Sequence, residues 1–376
     1  MGLIDAASVI EALEAFEPQY LPWLDRRDAI AVLKDGALPR PNSEAWKYTD
    51  PVPFFEFNND SPDGHNTATI PTVPSRLVGF ESDAVRTLVT SHINQAVDQR
   101  RYPLAAISYL KMDRGLVIHV KQGDAAETIE LGELDGRFQR ILVIVETEAR
   151  LELIETTTGS NRVVECFVAP GAELRHRRLQ ASGTGIDYNL VAINISENGS
   201  YIFSQYSAGA HLRRNDISVN ILGTGANAEL TGAWQLNEAL HLDNQISVNH
   251  LVGGGTSRQH FRGNVGDSAK SIFNGRIYIA ADAQKTNATL TNRNLVTSPK
   301  AEVYTKPELE IYANDVICSH GATVGQLDAA VLFYFQSRGI GEDEARAILI
   351  KGFLNEVVAH DDGRAVLGIE VRNHEI

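Results

Sequence analysis

Two cysteines, Cys166 and Cys318, are all that 376 residues contain. That is too few for a disulfide framework in a chain of this size, and unpaired thiols persist in reducing compartments. No Cys-x-x-Cys pair occurs, and no Gly-Lys dipeptide, so a Walker A route to ATP is excluded. Lys and Arg total 34 against 48 for Asp and Glu, a formal charge of −14. This balance opposes nonspecific association with nucleic acid or anionic membranes and favours proteins as partners. Long apolar runs are missing as well. Ala329–Phe335 and Ile141–Val145 are among the longest, far below the roughly 20 residues that cross a bilayer. The N-terminus lacks a basic stretch and carries Asp5, Glu11, Glu14 and Glu17, which does not read as a secretory signal. The expectation is a cytoplasmic protein with neither a membrane nor a nucleic-acid partner.

What is present is ordinary globular composition, with 43% hydrophobic and 22% charged residues, arranged in three regions. Residues 1–105 show helical periodicity, with Ile10, Leu13 and Phe16 one turn apart, interrupted by the Pro/Asn/Asp-rich linker Asn58–Pro74. Over 106–324 the period changes to two, in short β-branched runs such as Leu116–Val120, Arg140–Val145 and Val163–Val168. Turns containing Gly171, Gly199, Gly225 and Gly254 recur about every 26 to 30 residues. The preceding pentapeptides repeat as well: Val191–Ile195, Ile217–Ile221 and Ile246–His250 are offset by 26 and then 29 residues, and the third departs at its last position. A flat sandwich has no reason to repeat a pentapeptide at that interval, whereas stacked coils of a β-helix do. Alternation turns the first and third residues of each copy inward and aligns Asn194, Asn220 and Asn249 outside. Residues 325–376 return to helix. Leu327, Val331, Leu332 and Phe335 share one side, Gly339 suits a C-cap, and Glu342–Glu344 form an acidic first turn before Ala345, Ile348, Leu349 and Phe353. This is a helical hairpin, followed by a short tail, Ala365–Val371, that reads as a strand or loose end.

The densest chemistry lies in Asn314–Gly325. Cys318 and His320 are two residues apart, so on an extended backbone both side chains point the same way. A thiolate and an imidazole suit iron, an iron-sulfur cluster, zinc or copper. Two ligands do not complete a tetrahedral site, so a functional site needs another chain. The bland reading is a small buried thiol beside a hydrogen-bonding histidine. Cys166, flanked on its face by Val164 and Val168, reads as a buried apolar group. His176, His211, His241, His250 and His260 lack ligand spacing and read as surface or hydrogen-bonded groups. Arg175–Arg178 reads as a solvated strand face, and Trp46 and Tyr48 as packing anchors. A solenoid could also be a polysaccharide-active enzyme with paired carboxylates. Asp216 and Asp243 occupy near-equivalent coil positions, but in turn-like surroundings where Asp is common. A structural adaptor without any ligand role is a second alternative.

The segment Asp315–Asp328, together with Phe333–Ile340 and Glu344–Phe353, resembles the C-terminal signature of the SufB/SufD family of iron-sulfur cluster assembly proteins, and Asn42–Thr49 is similar to the segment that opens the N-terminal domain in its SufD branch. The chain is short for SufB and has no Cys-x-x-Cys, which favours the SufD branch. The resemblance implies a mainly β fold with a right-handed parallel β-helix core between helical ends. It further implies a non-catalytic scaffold subunit in a complex with SufB and the ATPase SufC, joined to SufB through the C-terminal ends of the solenoids. There, His320 first and Cys318 second match the family's ligands for a transient iron-sulfur cluster. The hairpin, through Leu327, Val331, Phe335, Glu344, Ile348 and Phe353, is implied to dock SufC. No cofactor is expected in the isolated chain, which could form a homodimer. Flavin binding by the whole complex is compatible with the resemblance, with no residue here to assign to it.

Overall fold

A computed structural model describes residues 6–15, 20–55, 76–157 and 159–369. The helical N-terminal part contains α1 (Ala6–Glu14), α2 (Arg27–Val32), a short strand β1 (Leu77–Gly79), α3 (Arg86–His92) and α4 (Pro103–Leu110). Phe16 and the linker Asn58–Pro74 lie outside the described residues.

Eight coils of two strands each follow. They are β2 (Arg114–Val120) with β3 (Glu127–Leu131), β4 (Phe138–Val145) with β5 (Arg150–Thr156), β6 (Asn161–Val168) with β7 (Glu173–Gln180), and β8 (Gly183–Ile195) with β9 (Ser200–Ser207). Next come β10 (Ala210–Ile221) with β11 (Asn227–Leu236), β12 (His241–His250) with β13 (Thr256–Val265), β14 (Lys270–Ile279) with β15 (Asn287–Val296), and β16 (Glu302–Ile311) with β17 (Ile317–Gly325). Even-numbered strands form one sheet, A, and odd-numbered strands from β3 onward the other, B. Pairing between successive coils is parallel throughout, and β1 adds antiparallel to β2 at the first edge of sheet A. The chain is therefore a mainly β parallel solenoid between helical ends, as its spacing predicts.

The repeat fixes register. Ile217–Ile221 pairs residue for residue with Val191–Ile195 on one side and Ile246–His250 on the other. Val191, Ile193, Ile217, Val219, Ile246 and Val248 fill the interior. On the outer face Asn220 Nδ2 donates to Asn194 Oδ1 at 2.9 Å, and Asn249 Nδ2 to Asn220 Oδ1 at 2.9 Å, each bond contributing about 1 kcal/mol net. The glycine turns stack at one corner. Gly171, Asn198, Gly225 and Gly254 all have positive φ, and their N–H groups donate to carbonyls of the following coil. Only glycine, or a small polar residue such as Asn198, adopts that conformation at little cost.

Helices cover the outer faces. The N-terminal helices bury Leu142, Ile144, Val163, Leu190 and Ala192 of sheet A. Within this cover, Trp46 lies under the Arg214 guanidinium, 3.8 Å from the ring centroid, Thr49 Oγ1 donates to Asp243 Oδ2 at 2.6 Å, and Tyr48 stacks on Tyr304 at 4.0 Å. Asp216 and Asp243 both pair with Arg214 and are buried. They sit within strands rather than turns, and beneath the N-terminal segment they present no carboxylate pair to a sugar. The Arg175–Arg178 run also differs from a solvated face. Arg175 is exposed, but His176 and Arg178 point inside, where Glu155 accepts from both at 2.9 and 3.0 Å, and from Arg162 at 3.3 Å. Period two sends alternate residues of one basic run to opposite sides, and an internal carboxylate draws the inward pair in.

C-terminal elements α5 (Ala329–Ser337), α6 (Glu342–Asn355) and α7 (Asp361–Leu367) complete the chain. Leu354, Val357, Val358 and Leu367 pack on Tyr206 and Ala233 of sheet B. The segment from Ala365 is thus the end of a docked helix rather than a strand, closed by Gly368 at φ 64°; Glu370 and Val371 lie outside the described residues. Among the described residues no helix is long and apolar enough to cross a membrane.

His250, the odd last residue of the third pentapeptide, occupies an interior position level with Ile221 and hydrogen-bonds Ser257 Oγ through Nε2 at 2.8 Å. Burial lowers its pKa from 6.5 to about 4. Between those values the unfolded chain binds a proton that the folded chain refuses, so stability falls as pH drops through that window. Chemical denaturation should show a lower unfolding free energy at pH 5 than at pH 7, and His250→Gln should narrow the gap; an unchanged gap refutes the assignment.

Candidate functional site

A solenoid's interior is covered coil by coil, and the last coil has no successor. β16 and β17 are the terminal strands of their sheets. Along β17, Cys318 is level with Ala288 and His320 with Leu290. Both partners belong to the buried core, so Cys318 and His320 occupy interior positions of a coil whose far side is open. Cys318 packs against the core and is half-buried, whereas His320 is exposed. Burial raises the Cys318 thiol pKa, a backbone hydrogen bond with Ala288 opposing it. The thiol is accordingly protonated at neutral pH until a metal or a base takes the proton.

The two side chains share one face at the tip, as their spacing requires, and they are not sunk away from contact. Among the described residues no group of three or more His, Cys, Asp and Glu side chains gathers in metal-binding geometry. Two donors remain where iron or a cluster needs about four. Next to His320 lies a groove of about 220 Å³ between β15 and β17, lined also by Asn292, Arg293 and Ser319. Sequence reading overlooked this wall. Its signal was available: one coil length back from His320 is Leu290, 30 residues upstream, in the strand carrying Asn292. Cys166 is fully buried, with its pKa raised by burial, and belongs to the core.

The hairpin leaves this same end. Asp328 caps α5, its carboxylate accepting from Ala330 N–H at 2.8 Å. Gly339, at φ 85°, closes the helix with Gly339 N–H to Gln336 O and Ile340 N–H to Phe335 O, the paired bonds of a Schellman motif. Leu332 and Ala345 are buried between the helices, and Leu327 and Phe335 are half-buried. Val331, Glu344 and Ile348 are exposed, and so are Phe333 at 70% and Tyr334 at 57%, two aromatics that the one-sided helical reading did not select. Phe353 is set apart. Its ring lies under the Arg262 guanidinium at 4.7 Å, and Arg262 donates to Phe353 O at 2.9 Å and also pairs with Glu356. This residue fastens α6 to sheet B.

Comparison with known proteins reaches the same region. The family model for the SufBD core domain of SUF-system FeS cluster assembly matches residues 128–353. The chain is 29% identical to the iron-sulfur cluster assembly protein SufD of Escherichia coli over 288 residues, covering 73% of this chain and 66% of that protein. It is 29% identical to the chloroplastic protein ABCI7 of Arabidopsis thaliana, covering 84% of this chain and 69% of that one. With the SufBD family protein slr0076 of Synechocystis the identity is 32%, over 58% of this chain and 52% of the relative.

The contrast between the two thiols is directly measurable. In the native chain a maleimide should modify Cys318 and spare Cys166, faster as pH rises toward 9, and denaturation should release the second thiol. Equal native labelling of both, read by mass spectrometry, contradicts the placement of Cys318 at an open end.

Proposed function

Because this chain belongs to the SufBD family of iron-sulfur cluster assembly proteins and is SufD-like, we propose that it is a scaffold subunit that supplies His320, backed by Cys318, to a cluster site completed by SufB. The cluster is cargo, held while it is built. The observation that carries this reading is the uncovered interior at the last coil, where two soft donors stand on one face. A second solenoid end abutting this one would cover exposed Ile317 and Val324, pair the free edges of β16 and β17, and bring the missing ligands. In isolation a second copy of this chain could occupy the same end as a homodimer.

The hairpin is the docking element for SufC in this proposal. Support comes from the exposed apolar patch of Val331, Phe333, Tyr334 and Ile348 beside acidic Glu344, a composition suited to a protein partner. With no Gly-Lys dipeptide in this chain, ATP energy must come from that partner. The chain thus contributes ligands and surfaces rather than a complete reaction, and its two free thiols fit a reducing cytoplasm.

His320→Ala should leave the complex with SufB and SufC assembled on gel filtration while cluster formation, followed by iron and acid-labile sulfide content, is lost; normal cluster yield would leave only the adaptor reading. The double substitution Phe333→Ser and Tyr334→Ser should weaken SufC capture by about tenfold or more, since buried aromatic anchors dominate interfaces. Undiminished capture removes the hairpin from the interface.

A further inference from the structure

Sheet B changes character toward the open end. Its last three strands, β13, β15 and β17, contain no Asp or Glu, in a chain whose formal charge is −14. Phe261, Ala288 and Leu290 point into the core, so alternation turns Arg258, His260 and Arg262 of β13 and Arg293 of β15 outward, with threonine and serine hydroxyls between and beside them. Outward arginines on other strands find carboxylates: Arg175 donates to Glu173 at 2.8 Å and Arg276 to Glu310 at 2.7 Å. Here Arg262 is neutralised by Glu356 of α6. Among the described residues Arg258 and Arg293 form no ion pair, although Glu229 on β11 is level with Arg258. Burial lowers the His260 pKa, and Arg262, Arg293 and Arg258 lower it further against the opposing Glu356, so the imidazole sits in a positive field. Like charges gathered on one face repel each other, and the complement that relieves them is negative.

Spacing decides what kind of anion fits. Arg258 is level with Thr289, four residues before Arg293 on the next strand. At about 3.3 Å per residue and about 4.8 Å between strands, their Cα atoms are about 14 Å apart. One small anion does not bridge that distance, whereas an extended peptide with carboxylates several residues apart does. The surface between and beyond them is open. Gly321, level with Thr291, offers no side chain, and the groove of about 220 Å³ runs along Thr291, Arg293, Ser319 and Thr323. The face also begins where the hairpin is anchored: Arg262, which holds Phe353 and Glu356 of α6, is level with Arg293 one strand away.

We propose that this outer face of sheet B receives a carboxylate-bearing segment of the partner that stands on the hairpin, clamped by Arg258 and Arg293 and hydrogen-bonded by the hydroxyls between them. The inference rests on the reading of the hairpin as the dock for SufC, and it gives that dock a second half. Exposed aromatics of α5 supply the apolar anchorage. Guanidinium groups, which bind carboxylates two hydrogen bonds at a time, supply orientation and a faster encounter.

The test is capture of SufC by the full-length chain, with association and dissociation rates read by biolayer interferometry at low and high salt, and SufB binding followed alongside. Arg258→Gln combined with Arg293→Gln, both at exposed positions, should slow association with SufC at low salt about tenfold, within the range of electrostatic steering, and flatten its salt dependence. Arg27→Gln combined with Arg40→Gln, exposed in the N-terminal part, changes the net charge equally and should leave both at the wild-type value. Wild-type association in the first pair, or an equal loss in the second, overturns the proposal. A loss confined to SufB binding does so too, because it puts the acidic segment on the other subunit. Phe333→Ser with Tyr334→Ser separates the two readings: if that pair loses capture while the Arg258 and Arg293 pair behaves as wild type, the hairpin remains the dock and the strand face is not part of it. No capture of SufC by the wild-type chain removes both.

Discussion

Everything at the functional end follows from how stacked coils terminate. In a parallel solenoid each coil satisfies the backbone of the previous one and roofs its interior, so burial is a property of having a successor. The eighth coil has none. Residues that anywhere earlier would be core, level with Ala288 and Leu290, are there half-buried or exposed. A thiol and an imidazole at those two positions sit on apolar ground, which raises the thiol pKa, yet face outward along the axis toward anything that comes to cover them. On the function proposed above, the candidate site and the unfinished core are the same surface, so the topology itself leaves a place for a covering partner.

The rest of the molecule keeps that surface rigid. Sheet A is braced outside by the N-terminal segment, whose Trp46, Tyr48 and Thr49 engage Arg214, Tyr304 and Asp243 on three different strands, one of them β16 at the open end. Inside, charged groups are tolerated because they are paired, although Arg178 Nη1 and Nη2 have no hydrogen-bond partner. Glu155 collects two guanidinium groups and an imidazole, and breaking such a buried set costs far more than an exposed ion pair contributes. The rod therefore has cross-links on its outer face and within its core.

Much of this was legible from residues alone, and the limits have physical causes. The pentapeptides and glycine turns disclosed the coil because a stack demands the same register and the same left-handed corner at each level, as Gly171, Asn198 and Gly254 illustrate. Cys318 and His320 were visible because period two places them on one face, and the uncovered end follows from the change to helix after Gly325. What escaped was inter-coil neighbourhood. Asn292 is 28 residues from His320 and has no motif of its own; only the pairing of β15 with β17 makes it a wall of the groove. Arg175–Arg178 misled because a basic run looks solvated until a partner such as Glu155 is known. Asp216 and Asp243 misled because their cover, Thr49 and Trp46, lies far away in sequence. Phe333 and Tyr334 were overlooked because a two-helix hairpin buries only a narrow stripe, through Leu332 and Ala345, and leaves its other faces bare.

The fastening of α6 by Arg262 bears on how mechanical work could enter the molecule. The hairpin joins sheet B covalently at the end of β17, through Arg262 on β13, with β15 between them, and through Leu354 in the apolar cluster with Tyr206 and Ala233. The first two attachments are about 10 Å apart across two strand spacings. A tug on the exposed aromatics is therefore divided between the outermost strand and one two layers deeper. The terminal coil is thereby tied to the strands behind it, so a load applied at the helices is shared with them and does not fall on the imidazole-bearing strand alone.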